Sequence, residues 1–312
     1  MNTKLSINNF VDWTITEDIV NNVKVDEVGV LDRVSSLATR SIKKESKLNA
    51  LQKIVSMCDL TTLEGEDTEG KIIQMSSKAI APDPNDESVP SAAAVCVYPA
   101  LVSTAKKTVK DSSVKVASVS SYFPSGQAPI ESKISDTKFA INEGADEIDI
   151  VINRKAFFEG DYMKVYEEIK SLKDVCGDIH LKTILEIGEL KTYENIKKAS
   201  VIALCAGSDF IKTSTGKISN GSSREACLVM ARTVREFQSY GYGMRGIKVA
   251  GGIRSSKDAI RYLVIINEEL GSSWLSSDYF RFGASSLLDD VLRQIKKLKT
   301  NAYQSSYYFP RG

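Results

Sequence analysis

Residues 209–217 read DFIKTSTGK: the apolar pair Phe210 and Ile211 leads into Lys212, and the run stops in a Thr/Ser/Gly turn. A short apolar segment ending abruptly in polar and glycine residues is the pattern of a strand feeding a loop. Seven more such runs lie to either side: MCDLT (57–61), AAVCVYP (93–99), VKVASVSS (114–121), EIDIVIN (147–153), HLKTILE (180–186), GIKVAGG (246–252) and YFRFGAS (279–285). Between them lie charged stretches of helical period. In GDYMKVYEEIKSLK (160–173), Tyr162, Val165, Ile169 and Leu172 fall on one helical face, which predicts an outer helix. The runs start roughly 20 to 40 residues apart, room for a strand, a crossover helix and two loops in each unit. Eight βα units predict an α/β fold, a (β/α)8 TIM barrel over residues 51–300.

Outside the barrel, residues 1–50 carry helical periods, with Val28, Leu31, Val34 and Leu37 at successive i+3 positions. They are expected to form a helical extension rather than a second domain, because about 50 residues bury too little apolar surface to fold easily alone. SIKKESK (41–47) is expected to join extension to barrel, and the polar, aromatic NAYQSSYYFPRG (301–312) to be a mobile tail.

Composition narrows the chemistry. Lys and Arg number 41 against 40 Asp and Glu, so no broad field draws the chain to nucleic acid or an anionic membrane, and any phosphate recognition is local. No stretch reaches the roughly 18 apolar residues of a spanning helix, and the start lacks a secretory h-region, which predicts a soluble cytoplasmic protein. The five cysteines lack CxxC spacing, arguing against a disulfide framework or thiolate zinc site, and imply a reducing compartment. A single histidine, His180, removes His-based triads and multi-histidine metal sites; it reads as structural.

In a parallel barrel the active site lies at the C-terminal ends of the strands, so polar residues ending apolar runs are the candidates. Lys212 and Lys248 both qualify. A lysine inside a buried strand is costly unless paired or neutral. Neighbouring strands lie about 4.8 Å apart, so lysines on the sixth and seventh runs can share one lumen as a like-charge pair. A free lysine has a pKa near 10.4, whereas an amine nucleophile works best at about 7 to 8. Desolvation and a neighbouring ammonium supply such a shift. The bland alternative is that each lysine snorkels to the barrel rim.

Asp149 is a carboxylate within an apolar strand, suited to relay protons or hold the second ammonium; the alternative is a structural ion pair. Asp59 ends the first run, either contacting lysines and substrate hydroxyls or capping a turn. TGK (Thr215, Gly216 and Lys217), AGG (250–252, with Gly251 and Gly252) and GASS (283–286, with Ser285 and Ser286) are three loop pieces whose glycines let backbone N–H groups approach an anion, with Lys217 supplying charge; plain turn chemistry is the bland alternative. Cys96 is expected to face the lumen, although a free cysteine is often only a small core residue.

MCDLTTL, AAVCVYP, GADEIDIVIN, LKTILE followed by GEL, AGSDFIKTSTGK, the lysine before AGGIR, and FGASSLL together resemble the deoxyribose-phosphate aldolase family, over about residues 50 to 295. FIKTSTGK is the most specific of these. The resemblance implies a class I aldolase, an aldehyde lyase that cleaves 2-deoxy-D-ribose 5-phosphate reversibly to glyceraldehyde 3-phosphate and acetaldehyde, without metal or organic cofactor, in deoxyribonucleotide catabolism. It implies Lys212 as the Schiff-base lysine, Lys248 as the pKa-lowering and proton-relay lysine, and Asp149 as their carboxylate partner. By the same resemblance Asp59, Thr61, Cys96 and Lys182 surround the sugar, and Gly216, Lys217, Gly251, Gly252, Ser285 and Ser286 the phosphate. Small phosphosugars and aldehydes are then the only expected partners, apart from a possible homo-oligomer. This chain departs from the family pattern at Val249, where many members have proline, in its longer N-terminal extension, and in its ending. Members often end in tyrosine, whereas FPRG follows Tyr307 and Tyr308 here, which leaves open whether either tyrosine reaches the barrel mouth. Two rivals stand beside this reading: a Schiff-base aldolase or transaldolase for another phosphosugar, and a non-catalytic phosphosugar-binding barrel.

Overall fold

The computed structural model describes residues 10–42, 44–305 and 308–309. Three helices open the described chain: α1 (Trp13–Asn21), α2 (Glu27–Ala38) and α3 (Lys44–Ser56). Eight strands follow, one in each predicted run. They are β1 (Cys58–Thr61), β2 (Ala94–Val97), β3 (Lys115–Val119), β4 (Glu147–Val151), β5 (His180–Ile184), β6 (Phe210–Lys212), β7 (Gly246–Ala250) and β8 (Phe280–Ala284). Each pairs in parallel with its neighbours in sequence, and β1 pairs with β8 to close the barrel.

Side chains alternate across the strands, as the two-residue period of a pleated strand requires. Leu60, Val95, Val116, Ile148, Leu181, Ile211, Ile247, Phe280 and Phe282 turn outward into the main apolar core beneath the helices. The residues between them turn inward, and several are charged: Asp59, Glu147, Asp149, Lys182, Lys212, Lys248 and Arg281 are all buried. The outer helices follow the predicted amphipathic pattern. Helix Tyr162–Cys176 is capped by Asp161, which accepts from the Lys164 N–H, and it buries Val165, Ile169 and Leu172. It ends at Gly177, at φ +56, a conformation glycine adopts without steric cost. Among the described residues, no helix is long and apolar enough to cross a membrane.

The N-terminal helices lie on the outside of the barrel. α1 packs on helices Tyr162–Cys176 and Tyr193–Cys205, where the Tyr166 hydroxyl donates to the Val11 carbonyl at 2.7 Å. α2 packs on helices Arg224–Ser239 and Ser256–Leu270, and Arg33 binds Glu269 at 2.9 Å. Its buried stripe differs from the expected one. Val30, Val34 and Leu37 are buried, whereas Val28 and Leu31 are 68% and 49% exposed. An i+3 series drifts about 60° per step around a helix of 3.6 residues per turn, and only the i, i+4, i+7 positions stay on one face. SIKKESK is likewise no simple linker. Residues 44–47 form the first turn of α3, so the boundary expected at residue 50 falls inside a helix that runs on to Ser56 and packs against helix Leu287–Thr300.

Tyr307 lies outside the described residues. Tyr308 and Phe309 border a cavity formed with Ala81, Pro82, Asp83 and Asn85, on the connection that leads into β2. That connection belongs to the N-terminal face of the barrel, opposite the strand ends where Lys212 and Lys248 lie. Tyr308 in this arrangement does not reach the mouth.

Candidate active site

Lys212 and Lys248 are direct register partners on β6 and β7. The strand ends are locked together just beyond them: the Thr213 hydroxyl donates to the Ala250 carbonyl at 3.0 Å and accepts from the Ala250 N–H at 2.9 Å. Both lysines reach one carboxylate oxygen. Lys212 Nζ lies 2.7 Å and Lys248 Nζ 2.9 Å from Asp149 Oδ2. Space for Lys248 comes from Gly283 on β8, where a Cβ would stand 3.0 Å from the Lys248 Cε.

The remaining buried charges continue from this point. Lys248 forms an ion pair with Asp59 Oδ2 at 2.6 Å, outside hydrogen-bond angles, and Asp59 Oδ1 accepts from Arg281 at 2.7 Å. Arg281 donates to Glu147 Oε1 at 2.8 Å, Glu147 Oε2 accepts from Lys182 at 2.5 Å, and Lys182 returns to Asp149 Oδ1 at 3.3 Å. Six residues thus form a closed circuit of alternating sign, and Lys212 branches from it at Asp149.

Burial works to raise each carboxyl, but the cations outweigh it. Lys212, Lys248 and Lys182 hold Asp149 well below the ordinary carboxylate range, Lys182 and Arg281 lower Glu147, and Lys248 and Arg281 lower Asp59. Burial also works to deprotonate the lysines. At Lys248 it is overcome by Asp149 and Asp59, and at Lys182 by Glu147 and Asp149, so both amines are raised. At Lys212 burial prevails: Asp149 opposes it, Lys248 adds to it, and the amine is lowered.

Lys212 is also the member of this cluster that borders the open cavity, a space of about 220 Å³ at the C-terminal ends of β1, β6, β7 and β8. Thr61, Thr215, Gly216, Lys217, Gly251, Gly252, Ser285 and Ser286 line it, so the structure brings the three loop pieces to one place. Gly251 and Gly252 have φ of +89 and +83, which lets the loop after β7 turn tightly. Ser286 precedes helix Leu287–Thr300 and makes no side-chain cap, so the first N–H groups of this helix face the cavity end unsatisfied by it. Lys217 Nζ pairs with Glu64 at 2.9 Å across the opening; Glu64 is 60% exposed, so the pair is weak.

Other expected positions lie elsewhere. Asp59 and Lys182 belong to the buried circuit and do not border the cavity, and Asp59 caps no helix. Lys182 pairs in register with Phe210, two residues before Lys212, which puts it a layer deeper. Cys96 sits with Leu63, Ala117 and Val119 on another part of the lumen wall, and burial pushes its thiol up. His180 opens β5, partly buried, near Asp209 and Phe210 at the far end of the barrel.

The sequence reading passed over Glu147, Arg281, Glu186, Arg154 and Arg254. Glu147 and Arg281 carry a usable signal, because each alternates with apolar residues on its strand and so faces the lumen with Asp149 and Lys248. Arg254 lies in the cavity wall just past Gly251–Gly252. Glu186, left-handed at φ +58, accepts from the Thr215 N–H at 3.3 Å and from the Thr215 hydroxyl, and lies 3.4 Å from Arg154. Arg154 in turn donates to the carbonyls of Pro124 and Ser125. These contacts fix the loop after β6 to those after β3 and β4, and no sequence period reports them.

A parallel (β/α)8 barrel with a buried amine at the mouth, beside anion-ready loops, defines the class as a barrel aldolase. A family model described as DeoC/LacD family aldolase matches residues 53–292, and the chain belongs to that family. Deoxyribose-phosphate aldolases of Homo sapiens and Mus musculus are each 41% identical over 303 residues, 93% of this chain and 95% of theirs. Among solved structures, a putative deoxyribose-phosphate aldolase from Coccidioides immitis superposes with a TM-score of 0.66 at 25% identity, covering 86% of this chain and 99% of that one.

Proposed function

We propose that the chain cleaves 2-deoxy-D-ribose 5-phosphate reversibly to glyceraldehyde 3-phosphate and acetaldehyde, through an imine on Lys212. The observation that carries this reading is that Lys212, alone in the buried charge cluster, both borders the cavity and is driven toward its neutral form. Relatives at 41% identity over nearly the whole chain support the substrate.

The neutral Lys212 amine attacks the C1 aldehyde of the open-chain sugar, and loss of water leaves a protonated imine that acts as the electron sink. Removal of the C3 hydroxyl proton lets the C2–C3 bonding electrons flow into an enamine, and C3 departs as the aldehyde of glyceraldehyde 3-phosphate. Proton addition at C2 restores an imine, and water releases acetaldehyde and Lys212. Lys248, held protonated, donates to the departing water, and in its neutral form receives the C3 hydroxyl proton. Asp149, 2.7 Å from one lysine and 2.9 Å from the other, links the two amines. Gly216, Lys217, Gly251, Gly252, Ser285 and Ser286 bind the phosphate at the opposite side of the cavity, and Thr61 and Thr215 flank the sugar.

Borohydride reduction in the presence of acetaldehyde, followed by peptide mass mapping, tests the reading. A two-carbon adduct is expected on Lys212, and Lys212→Ala is expected to lose both the adduct and turnover while staying folded. An adduct reproducibly on another lysine, or a preference for dihydroxyacetone phosphate over acetaldehyde as donor, overturns it.

A further inference from the structure

Asp149, Lys248, Asp59, Arg281, Glu147 and Lys182 close a circuit of three carboxylates and three cations, all but inaccessible to solvent, and Lys212 is a fourth cation attached to it. With every group ionised the cluster carries one uncompensated positive charge, which is expensive in a low-dielectric interior. Loss of one proton removes that charge. Lys182 and Lys248 each touch two carboxylates, whereas Lys212 touches only Asp149, on an oxygen it shares with Lys248. Arg281 does not deprotonate. The proton is therefore most weakly held on Lys212.

We propose that this circuit sets Lys212 in its neutral form by its net charge, with Glu147 and Arg281 as positioning residues that govern the nucleophile without touching substrate. The proposal rests on Lys212 being the imine-forming amine. Other ionisable groups around the lumen do not disturb the balance. Cys96 on β2 is a buried thiol pushed toward its neutral form. Lys115, at the N-terminal end of β3, lies 3.4 Å from Glu147 but is 40% exposed, so water screens it. At the mouth, Lys217 and Glu64 neutralise each other, Arg254 in the cavity wall is exposed and screened by water, and Glu186 is engaged by Thr215 and Arg154. The lysine neighbour Lys248 repels a proton on Lys212, but that repulsion is offset by the carboxylates Lys248 shares. Glu147 and Arg281 decide whether the sum is zero.

The signs follow from charge. Arg281→Met removes a cation, so protonated Lys212 makes the cluster neutral and holds its proton to higher pH. Glu147→Gln removes a carboxylate, leaves a further excess of positive charge, and drives Lys212 to lose its proton at lower pH. The double variant restores equal numbers, with Lys182 and Lys248 facing Asp149 and Asp59. Arg281 lies two strands from Lys212, about 10 Å, where a unit charge shifts a buried amine by about one pH unit at the effective dielectric of a protein interior.

Two readouts test this in the intact protein: the acid limb of kcat/KM, which reports the free enzyme's essential base, and the pH dependence of Lys212 carbamylation by cyanate, read by peptide mass. Relative to the unsubstituted chain, Arg281→Met is expected to move both up by about one unit, Glu147→Gln to move both down by a similar amount, and the double variant to return both to within a few tenths of a unit. Arg281→Lys, which keeps the charge but loses the planar fork, is expected to leave both in place. Glu147→Gln is nearly isosteric and decides the sign by itself where Arg281→Met does not fold. Folded single variants with unshifted profiles, or a double variant whose shifts fail to cancel, overturn the proposal. Carbamylation needs no turnover, so it separates failure of the charge circuit from failure of the aldolase reading, which borohydride trapping decides.

Discussion

Lys212 and Lys248 are the same residue type at the same register level, one strand apart, and yet their amines are pushed in opposite directions. The difference is in their carboxylates: Lys248 has Asp149 and Asp59 in contact, and Lys212 has only Asp149. Burial penalises both ammonium forms, and a second carboxylate is enough to reverse the outcome. In the proposed mechanism this division leaves one amine free to attack a carbonyl and the other charged to give up a proton. Lys248→Met removes a cation beside Lys212, so the Lys212 amine rises toward its ordinary value and a smaller fraction is neutral at pH 7. The acid limb of kcat/KM is expected to move to higher pH by one unit or more, and activity at pH 7 to fall at least tenfold. An unchanged limb, in a folded variant, disproves the coupling.

At the level of elements, the strands and the paired lysines were legible because their signals are local. Eight apolar runs each end in polar or glycine residues, and a lysine inside a buried run is conspicuous. What escaped the sequence depends on relations between strands. The alternation in YFRF shows that Arg281 faces the lumen, but its partner is visible only once β8 closes on β1 and brings it 2.7 Å from Asp59, 222 positions away. The Glu186–Thr215–Arg154 contacts depend on a left-handed residue that no propensity anticipates. The loops proposed for the phosphate fall between these cases, since their glycines are visible but their convergence needs the closed barrel. Lys217→Ala tests that convergence. It is expected to raise KM for deoxyribose 5-phosphate about tenfold or more and to leave kcat/KM for unphosphorylated deoxyribose nearly unchanged, because the amine acts on the phosphate alone. Equal losses with both substrates remove this loop from the phosphate site.

For the molecule as a whole, the charged lumen links catalysis to acid stability. Asp59, Glu147 and Asp149 are each held below the ordinary carboxylate range, by cations that outweigh the effect of burial. In the unfolded chain these groups return to about 4. Carboxylates depressed in the folded state contribute stability that is fully present above the unfolded value and is lost as pH falls toward the folded values. The window therefore opens at about pH 4 and extends downward. Within it, unfolding takes up protons at these three groups, and each full proton is worth about 1.4 kcal/mol per pH unit. Asp149, held well below the ordinary range, and Glu147 give most of the slope near pH 3, and Asp59 adds to it. Urea unfolding at pH 5, 4, 3.5 and 3 measures this slope directly. Stability is expected to be flat from pH 7 to 5 as far as this cluster contributes, and to fall steeply below 4. Glu147→Gln removes one of the three titrating groups, so its slope near pH 3 is expected to be shallower by about 1.4 kcal/mol per pH unit, even though the variant is less stable at pH 7 because Arg281 and Lys182 lose their shared anion. A variant with the same acid slope as the unsubstituted chain shows that Glu147 is already protonated in the folded barrel, and the alternating circuit is then broken at that position.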